Sequence, residues 1–293
     1  SAHRPSPRSP DLHTVRRPDR RICTPSLVKR HRNDHTGTVI VRAHAKLTWT
    51  LRVTGVRDDG YHLLDSEMAS LDLHDVLTID PHSKGLTATG PFGDGVPLDA
   101  SNLVVKALAH TGRQAAITLD KRIPHGGGLG GGSTDAAAVL AWAGHPTHRR
   151  GLADAARLGA DIPFCLVGGR ARVRGIGEIV DPLPHVDRTI TLVIPPLTCS
   201  TPAVYRAWDE LGGPTAEGPN DLEPAALAVE PRLAWWRDAI SERIGSTPVL
   251  AGSGATWFTE GGRDDALADL IDEGARVVVV RTVSAETVRP RGR

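Results

Sequence analysis

Apolar and polar residues alternate most clearly near residue 50. The segment KLTWTLRV, residues 46–53, has a large apolar residue at every second position and a polar residue between each pair. This period of two predicts a half-buried β-strand, with Lys46 and Thr48 on its polar face. The preceding segment TVIVRA also has strand character, so we expect ordered structure to begin at Thr38.

The rest of the chain mixes this strand period of two with the period of about 3.6 that is typical of helices. Candidate helix caps are Ser101, Ser133 or Thr134, and Thr201. We expect an α+β chain in two halves that meet near Pro195, with domains over 38–195 and 196–293. The patterns predict strands near 77–79, 86–89, 115–124, 170–184, 188–196, 248–258 and 276–283, and helices near 101–110, 133–143, 151–164, 201–208, 220–229, 231–245 and 264–274.

The N-terminal segment 1–37 differs from the rest of the chain. It has nine Arg and Lys against three Asp, many prolines and no apolar period, and we expect it to be disordered. Three interpretations stay open: a plastid-type transit segment, a nucleic-acid-binding arm, or an inert tail, including sequence upstream of the true start.

The overall composition restricts the class of protein. Hydrophobic residues make up 40% and charged residues 24%, with a formal net charge of +1. This balance gives no reason to expect a nucleic-acid partner, and no apolar stretch is long enough to cross a membrane. Three scattered cysteines do not make a disulfide framework or a zinc site. We expect a cytoplasmic protein, or a plastid protein if the basic segment is a transit peptide.

The segment IPHGGGLGGGSTDAAAVL, residues 123–140, is the strongest functional signal. A strand that ends in glycines and continues as a helix forms an anion site, because backbone N–H groups and the helix dipole face the ligand. The Walker pattern fails because no lysine follows the glycines. Gly126, Gly128 and Gly131 meet a dinucleotide pattern, but the second strand with an acidic residue that it requires is missing.

The glycine segment resembles the phosphate loop of the galactokinase, homoserine kinase, mevalonate kinase and phosphomevalonate kinase (GHMP) superfamily. Together with AHAKLTWTLRVTGVRDDGYHLLDSEMASLDLHDVLTI, ASNLVVKAL, LGADIPFCLVGGRARVRGIGEIV, NDLE and LAGSGATWF, it resembles one family there, the 4-diphosphocytidyl-2-C-methyl-D-erythritol kinases. The resemblance spans about residues 38–283. It implies a two-domain fold, with an N-terminal kinase domain containing a left-handed βαβ-type unit and a C-terminal ferredoxin-like α/β domain.

The resemblance also implies two catalytic residues. Asp161 matches the catalytic aspartate, which would accept or orient the proton of the substrate hydroxyl. Lys46 matches the active-site lysine, which would neutralise charge as the phosphoryl group moves. The local sequence alone equally allows Asp161 to be a turn or helix-capping residue and Lys46 to be a solvated strand residue.

Further positions match the family's ligand-binding motifs. Tyr61, His62 and Thr48 would contact the substrate, although Thr48 replaces the common asparagine. The segment Gly252, Ser253 and Gly254 would pack beside the phosphate loop. The positions matched to ATP are Pro124, Gly126, Gly127, Gly128, Leu129, Gly130, Gly131, Gly132, Ser133, Thr134 and Asn102; for Asn102, helix capping is the alternative role.

The resemblance implies ATP and Mg²⁺ as cofactors, with metal ligands that the sequence does not identify. The expected reaction is phosphorylation of the 2-hydroxyl of 4-diphosphocytidyl-2-C-methyl-D-erythritol in the non-mevalonate isoprenoid pathway, by a monomer or homodimer. Two alternatives stay open: a kinase for another small alcohol such as homoserine or a mevalonate derivative, and a non-catalytic nucleotide-binding or nucleic-acid-binding protein.

Overall fold

A computed structural model describes residues 37–288 of the 293-residue chain. The basic segment for which disorder is expected lies outside these residues except for Gly37. Among residues 37–288, no helix combines the length and apolar character needed to cross a bilayer.

The N-terminal half is a mixed sheet with helices packed on one side. Long antiparallel strands β1 and β2 form its centre, and β5 pairs with β2 and β6. Strands β3 and β4 are parallel and are joined through α1, which makes a βαβ unit. The elements are β1 (Val39–Val56), β2 (His62–Asp80), β3 (Gly85–Thr89), α1 (Leu103–Thr111), β4 (Ala116–Asp120), α2 (Gly131–Trp142), α3 (Arg149–Ala155), α4 (Ile162–Val167), β5 (Arg170–Gly175) and β6 (Ile179–Leu183).

The C-terminal half is an antiparallel sheet in the order β10-β7-β9-β8. Numbered within this half, the order is 4-1-3-2, which together with its helices gives the ferredoxin-like arrangement. The elements are β7 (Thr189–Ile194), α5 (Thr201–Glu210), α6 (Glu223–Val229), α7 (Arg232–Ile244), β8 (Val249–Leu250), β9 (Trp257–Glu260), a 3₁₀ helix (Asp265–Ile271), β10 (Arg276–Val283) and α8 (Ala285–Val288).

The two halves share one sheet edge and a common core. Strand β10 pairs briefly with β2, at Thr282 and Val283. Strand β7, residues 189–194, pairs with β9 and β10 and so belongs to the C-terminal sheet. That sheet therefore begins a few residues before the boundary that the sequence pattern placed at residue 195. A buried cluster at the junction contains Ile123 and Leu129, which flank the first glycines of the phosphate loop. The loop is therefore anchored where the halves meet.

Three predicted helix caps are wrong. Asn102, not Ser101, caps α1, because its Oδ1 accepts a hydrogen bond from Val104 N. Helix α2 begins earlier than predicted, after Gly130 in a left-handed conformation, so Ser133 lies inside its first turn together with Thr134. Thr201 is the first residue of α5 rather than its cap.

Candidate active site

The glycine loop, residues 126–132, is the first of two glycine segments in the site, and it closes over Lys46. Lys46 N donates a hydrogen bond to Leu129 O at 3.0 Å, which attaches the loop to β1. Gly130 has φ +71°, and a Cβ at this position would lie 2.7 Å from Lys46 Cγ. Glycine is required here for both reasons: the backbone is left-handed, and the lysine stem occupies the space of a side chain.

The second glycine segment, Gly252, Ser253 and Gly254 with their neighbours Ala251 and Ala255, packs against the first through backbone atoms. Ala255 N donates to Gly126 O at 3.2 Å, and a Cβ on Gly128 would lie 2.1 Å from Ala251 O. The Asn220 side chain holds the second segment, because its Nδ2 donates to Leu250 O at 2.9 Å and to Gly252 O at 2.7 Å. The two segments therefore form one wall, with one part from each half of the chain.

Lys46 and Asp161 meet inside this wall. Lys46 Nζ lies 3.3 Å from Asp161 Oδ2 and donates to Thr48 Oγ1 at 3.1 Å. The Lys46 side chain is 6% exposed and that of Asp161 is 30% exposed, so the carboxylate is the more accessible partner. Asp161 occupies the position before α4 but makes no capping hydrogen bond. Its carboxylate is thus available for a ligand beside a buried ammonium group.

A second buried ion cluster supports both ends of the phosphate loop. Lys121 Nζ contacts Asp75 Oδ2 and lies 2.6 Å from Asp135 Oδ2. Asp75 Oδ1 also accepts hydrogen bonds from the backbone N–H groups of Arg122 and Ile123 at 2.5 and 2.8 Å. The cluster links β2, the end of the strand that enters the loop, and the helix that leaves it.

The two carboxylates of this cluster are not equivalent. Asp75 accepts three hydrogen bonds, whereas Asp135 Oδ1 is buried and has no hydrogen-bond partner within residues 37–288. Burial raises the pKa of Asp135 to about 7; Lys121 opposes this shift and Asp75 adds to it. Burial alone would lower the pKa of Lys121, but Asp135 and Asp75 together raise it. Asp135 is therefore the carboxylate of the cluster that takes up a proton.

A cavity of about 430 Å³ opens beside Lys46 and Asp161. The two glycine segments together form one wall, and Thr201 and Tyr205 of α5 also line the cavity. Its lining residues are Lys46, Thr48, Leu51, Leu64, Met68, Leu103, Pro124, His125, Gly126, Gly127, Gly128, Leu129, Gly130, Gly131, Gly132, Ser133, Ala160, Asp161, Thr201, Tyr205, Leu222, Gly252 and Ser253.

Aromatic side chains border the cavity at α5. The Tyr205 ring lies 4.6 Å from the His62 ring, measured between centroids, and Trp208 meets His62 edge-on at 5.5 Å. His62 Nε2 lies 2.8 Å from Asp209 Oδ1, which fixes the orientation of the imidazole. Burial and the charge of Asp161 raise the pKa of Tyr205, so its hydroxyl stays protonated. This arrangement offers a stacking surface beside polar atoms.

Some predicted ligand residues lie apart from the cavity. Tyr61 is 59% exposed, and neither Tyr61 nor His62 lines it. The Asn102 carboxamide is engaged at both ends, since Oδ1 accepts from Val104 N and Nδ2 donates to Pro97 O. Thr134 is buried, and its hydroxyl donates to His44 O at 2.5 Å, whereas Ser133 faces the cavity. The proposed roles of Tyr61, His62 and Asn102 in ligand binding stay predictions.

Several site residues escape sequence reasoning. Tyr205 and Thr201 begin an ordinary amphipathic helix, and Asn220 belongs to the NDLE motif without a specific expected role. Asp135 carried one signal, because an acidic residue followed by the apolar run Ala136–Leu140 is unusual on a buried helix. Its partners Lys121 and Asp75 carried none.

Comparison with known proteins agrees with this geometry. The sequence profile of the GHMP kinases N terminal domain matches residues 102–169, which include the phosphate loop and Asp161. The 4-diphosphocytidyl-2-C-methyl-D-erythritol kinase of Paracoccus denitrificans is 43% identical over 235 residues, which cover 74% of this chain and 84% of that protein. The chain belongs to this kinase family.

Solved structures agree with the assignment to the family. A crystal structure of 4-(cytidine 5'-diphospho)-2C-methyl-D-erythritol kinase superposes with a TM-score of 0.65 at 32% identity, over 83% of this chain and 98% of that one. Homoserine kinase from Cytophaga hutchinsonii superposes with a TM-score of 0.54 at 17% identity, over 86% of this chain and 96% of that one, which shows the shared fold alone. The protein is thus a small-molecule kinase with the GHMP fold.

Proposed function

We propose that this kinase transfers the γ-phosphoryl group of ATP to the 2-hydroxyl of 4-diphosphocytidyl-2-C-methyl-D-erythritol. The observation that carries the proposal is the contact of Lys46 with Asp161 at one end of a cavity walled by two glycine segments. Its similarity to the Paracoccus denitrificans kinase supports the substrate.

The reaction is a direct in-line transfer. The substrate 2-oxygen attacks the γ-phosphorus, its proton passes to the Asp161 carboxylate, and the bond from the γ-phosphorus to the β,γ-bridging oxygen breaks to release ADP. Lys46, buried beside Asp161, neutralises negative charge as the phosphoryl group moves. The N–H groups at the start of α2 hold the phosphates, because the loop provides no side chain to keep them away.

The residues present fit a Mg²⁺ ion, which would neutralise charge on the phosphates when bound. Ser133 lines the cavity in the first turn of α2, and no hydrogen bond of its hydroxyl to another described residue is found, which leaves that oxygen available. The hydroxyl of Thr134 is occupied by His44 O and faces away. Mg²⁺ usually takes few protein ligands together with phosphate oxygens, so a single hydroxyl is chemically reasonable.

The aromatic border is suited to the cytosine ring. A base can stack on Tyr205, which lines the cavity, while His62, which does not itself line it, packs against the Tyr205 ring and is oriented by Asp209. Homoserine and mevalonate have no ring to stack. This border therefore favours the cytidyl substrate over the alternative alcohols, and the accessible Asp161 beside a buried lysine favours an enzyme over a nucleotide-binding protein.

An ATP-turnover assay on the full chain tests the proposal. With Mg²⁺ and each alcohol in turn, we expect phosphorylation of 4-diphosphocytidyl-2-C-methyl-D-erythritol, with the product identified by mass spectrometry, and none of homoserine or mevalonate. Turnover of one of those two and none of the cytidyl substrate would overturn the specificity. No turnover of any alcohol despite ATP binding would support the non-catalytic alternative.

A further inference from the structure

Three potential metal ligands meet on the N-terminal half, away from the cavity. His110 lies in the last turn of α1, His145 follows α2, and Asp154 lies on α3. One ligand atom from each lies within 4.8 Å of the other two. None of the three lines the cavity, and His110 lies seven positions beyond the cavity-lining Leu103 on α1, which is about 10 Å of helix.

The hydrogen bonds of the cluster already prepare His145 for coordination and place His110 against Asp154. His110 Nε2 lies 2.7 Å from Asp154 Oδ2, so that nitrogen faces the carboxylate. His145 Nε2 lies 2.9 Å from Gly151 O. A carbonyl at this distance keeps Nε2 protonated and leaves the lone pair on Nδ1. Metal-binding histidines usually have their other nitrogen fixed in this way.

The segment between His145 and Gly151 is rigid. A Cβ on Gly151 would lie 2.1 Å from Pro146 O, so the two backbones are in direct contact. His148 caps α3 by accepting a hydrogen bond from Gly151 N at 3.2 Å. His145 is therefore held near His110 and Asp154 by a short, closely packed turn. An exposed ion pair between His110 and Asp154 would need neither this turn nor the carbonyl behind His145.

We propose that His110, His145 and Asp154 bind a divalent transition-metal ion of the Zn²⁺ type as a structural site joining α1, α3 and the end of α2. Two imidazoles and one carboxylate suit Zn²⁺, Co²⁺ and Ni²⁺, whereas Mg²⁺ prefers oxygen ligands. Tetrahedral coordination needs ligand atoms about 3.3 Å apart. The His110–Asp154 contact of 2.7 Å must open by about half an ångström, and His145, whose ligand atom lies within 4.8 Å of both, must close to a similar separation. Water completes the coordination.

Zn²⁺ binding to the full chain tests the site. Calorimetry with Zn²⁺ in millimolar Mg²⁺ should show one more bound equivalent for the native chain than for His145→Ala. Co²⁺ should give the visible absorption of a tetrahedral complex that Zn²⁺ removes. Asp154→Asn should weaken this binding at least tenfold. Zn²⁺ should also raise the Tm of the native chain but not that of His145→Ala.

His185→Ala is the matched control, because it removes an exposed histidine far along the chain and should retain the additional equivalent. The chain has 13 histidines, four of them within residues 1–36, and any metal bound there contributes equally to all variants. The proposal is overturned if the native chain and His145→Ala bind Zn²⁺ with the same stoichiometry and affinity, or if His185→Ala loses as much as His145→Ala.

Discussion

Lys121 Nζ lies 2.6 Å from Asp135 Oδ2, and this buried contact joins the strand that enters the phosphate loop to the helix that leaves it. Asp75 holds the same lysine from β2. A loop with six glycines has little conformational preference of its own. Its shape is therefore determined by these fixed ends and by the second glycine segment.

Replacing Asp135 by Asn should change how stability depends on pH. The unfolded chain loses this proton near pH 4, whereas the folded chain retains it until about pH 7. Between these values the native protein therefore loses stability as pH rises, by at most about 1.4 kcal/mol per pH unit from this group. Asp135→Asn lacks this loss, so its stability relative to the native chain should rise across the same window.

Urea unfolding at pH 5 and pH 7.5 measures this difference. The control is Asp94→Asn, which removes an exposed carboxylate and should keep the native pH dependence. If Asp135→Asn and the native chain show the same slope with pH, Asp135 is not the group that retains the proton.

Gly130→Ala should inactivate the enzyme by contact with Lys46. The new methyl group would lie 2.7 Å from Lys46 Cγ, which displaces the ammonium group from Asp161. A shift of about 1 Å in a catalytic group can cost about a hundredfold in rate, so kcat/KM should fall by about that factor.

Gly245→Ala is the matched control, because Gly245 has a similar φ of +69° but nothing within 4 Å of an added Cβ. It should cost about 1 kcal/mol of stability from backbone strain and leave kcat/KM unchanged. Equal losses of activity in the two variants would mean that backbone strain, rather than the lysine contact, explains the effect.

Asp161→Asn should lower kcat by about 10² to 10⁴-fold, because the amide cannot accept the hydroxyl proton. ATP affinity, measured by calorimetry, should remain within a few-fold of the native value, since the phosphates bind the glycine loop. Asp181→Asn on β6 serves as the control, as its exposed carboxylate pairs with Arg174 and does not line the cavity. A near-normal kcat for Asp161→Asn would remove this residue from the mechanism.

Substitutions at Ser133 and Thr134 should have different effects, one on the Mg²⁺ requirement for activity and the other on the stability of the fold. Ser133→Ala removes the hydroxyl that faces the cavity and should raise the Mg²⁺ concentration needed for half-maximal activity. Thr134→Val leaves His44 O without its donor and should cost about 1–3 kcal/mol of stability with an unchanged Mg²⁺ requirement. Mg²⁺ titrations of activity and urea unfolding of both variants measure the two effects. The reverse pattern would assign the metal to Thr134.

His62→Ala should raise KM for the cytidyl substrate about tenfold or more, because it removes the ring packed on Tyr205, the proposed stacking surface for the base. KM for ATP should change little. The comparison variant Tyr61→Ala removes an exposed ring and should have the smaller effect. A larger rise for Tyr61→Ala than for His62→Ala would show that substrate binding brings Tyr61 over the cavity.

Local pattern predicted much of the fold. Alternation near residue 50 identified β1 and placed Lys46 on its polar face, and the glycine run identified the phosphate loop. The alternation of apolar and polar residues could not show that Lys46 is buried, because the glycine loop that covers it lies about eighty residues further along the sequence. The cap of α2 was wrong for a related reason: the helix begins at Gly131 because contacts with Lys46 and the second glycine segment hold the preceding backbone.

The ion cluster below the loop shows a second limit. Lys121 follows a strand in KRIP and looks like an ordinary solvated cation, yet its side chain is 3% exposed. Its burial depends on the carboxylates of Asp75 and Asp135, which come from other elements of the fold. No repeating pattern in the sequence around Lys121 indicates either ion pair. Long-range electrostatic contacts of this kind become visible only once the sheet and helix are placed.

The wall built from two glycine segments has a consequence for cutting the chain. The proposed catalytic pair, Lys46 and Asp161, and the first glycine segment belong to the N-terminal half, whereas Gly252 and Tyr205 come from the other half. A polypeptide severed in the segment 184–188, which connects β6 to β7, would leave each fragment with an incomplete cavity. Recovery of phosphoryl transfer on mixing the two fragments would then report their reassembly, which makes this fold a natural candidate for a split-enzyme sensor.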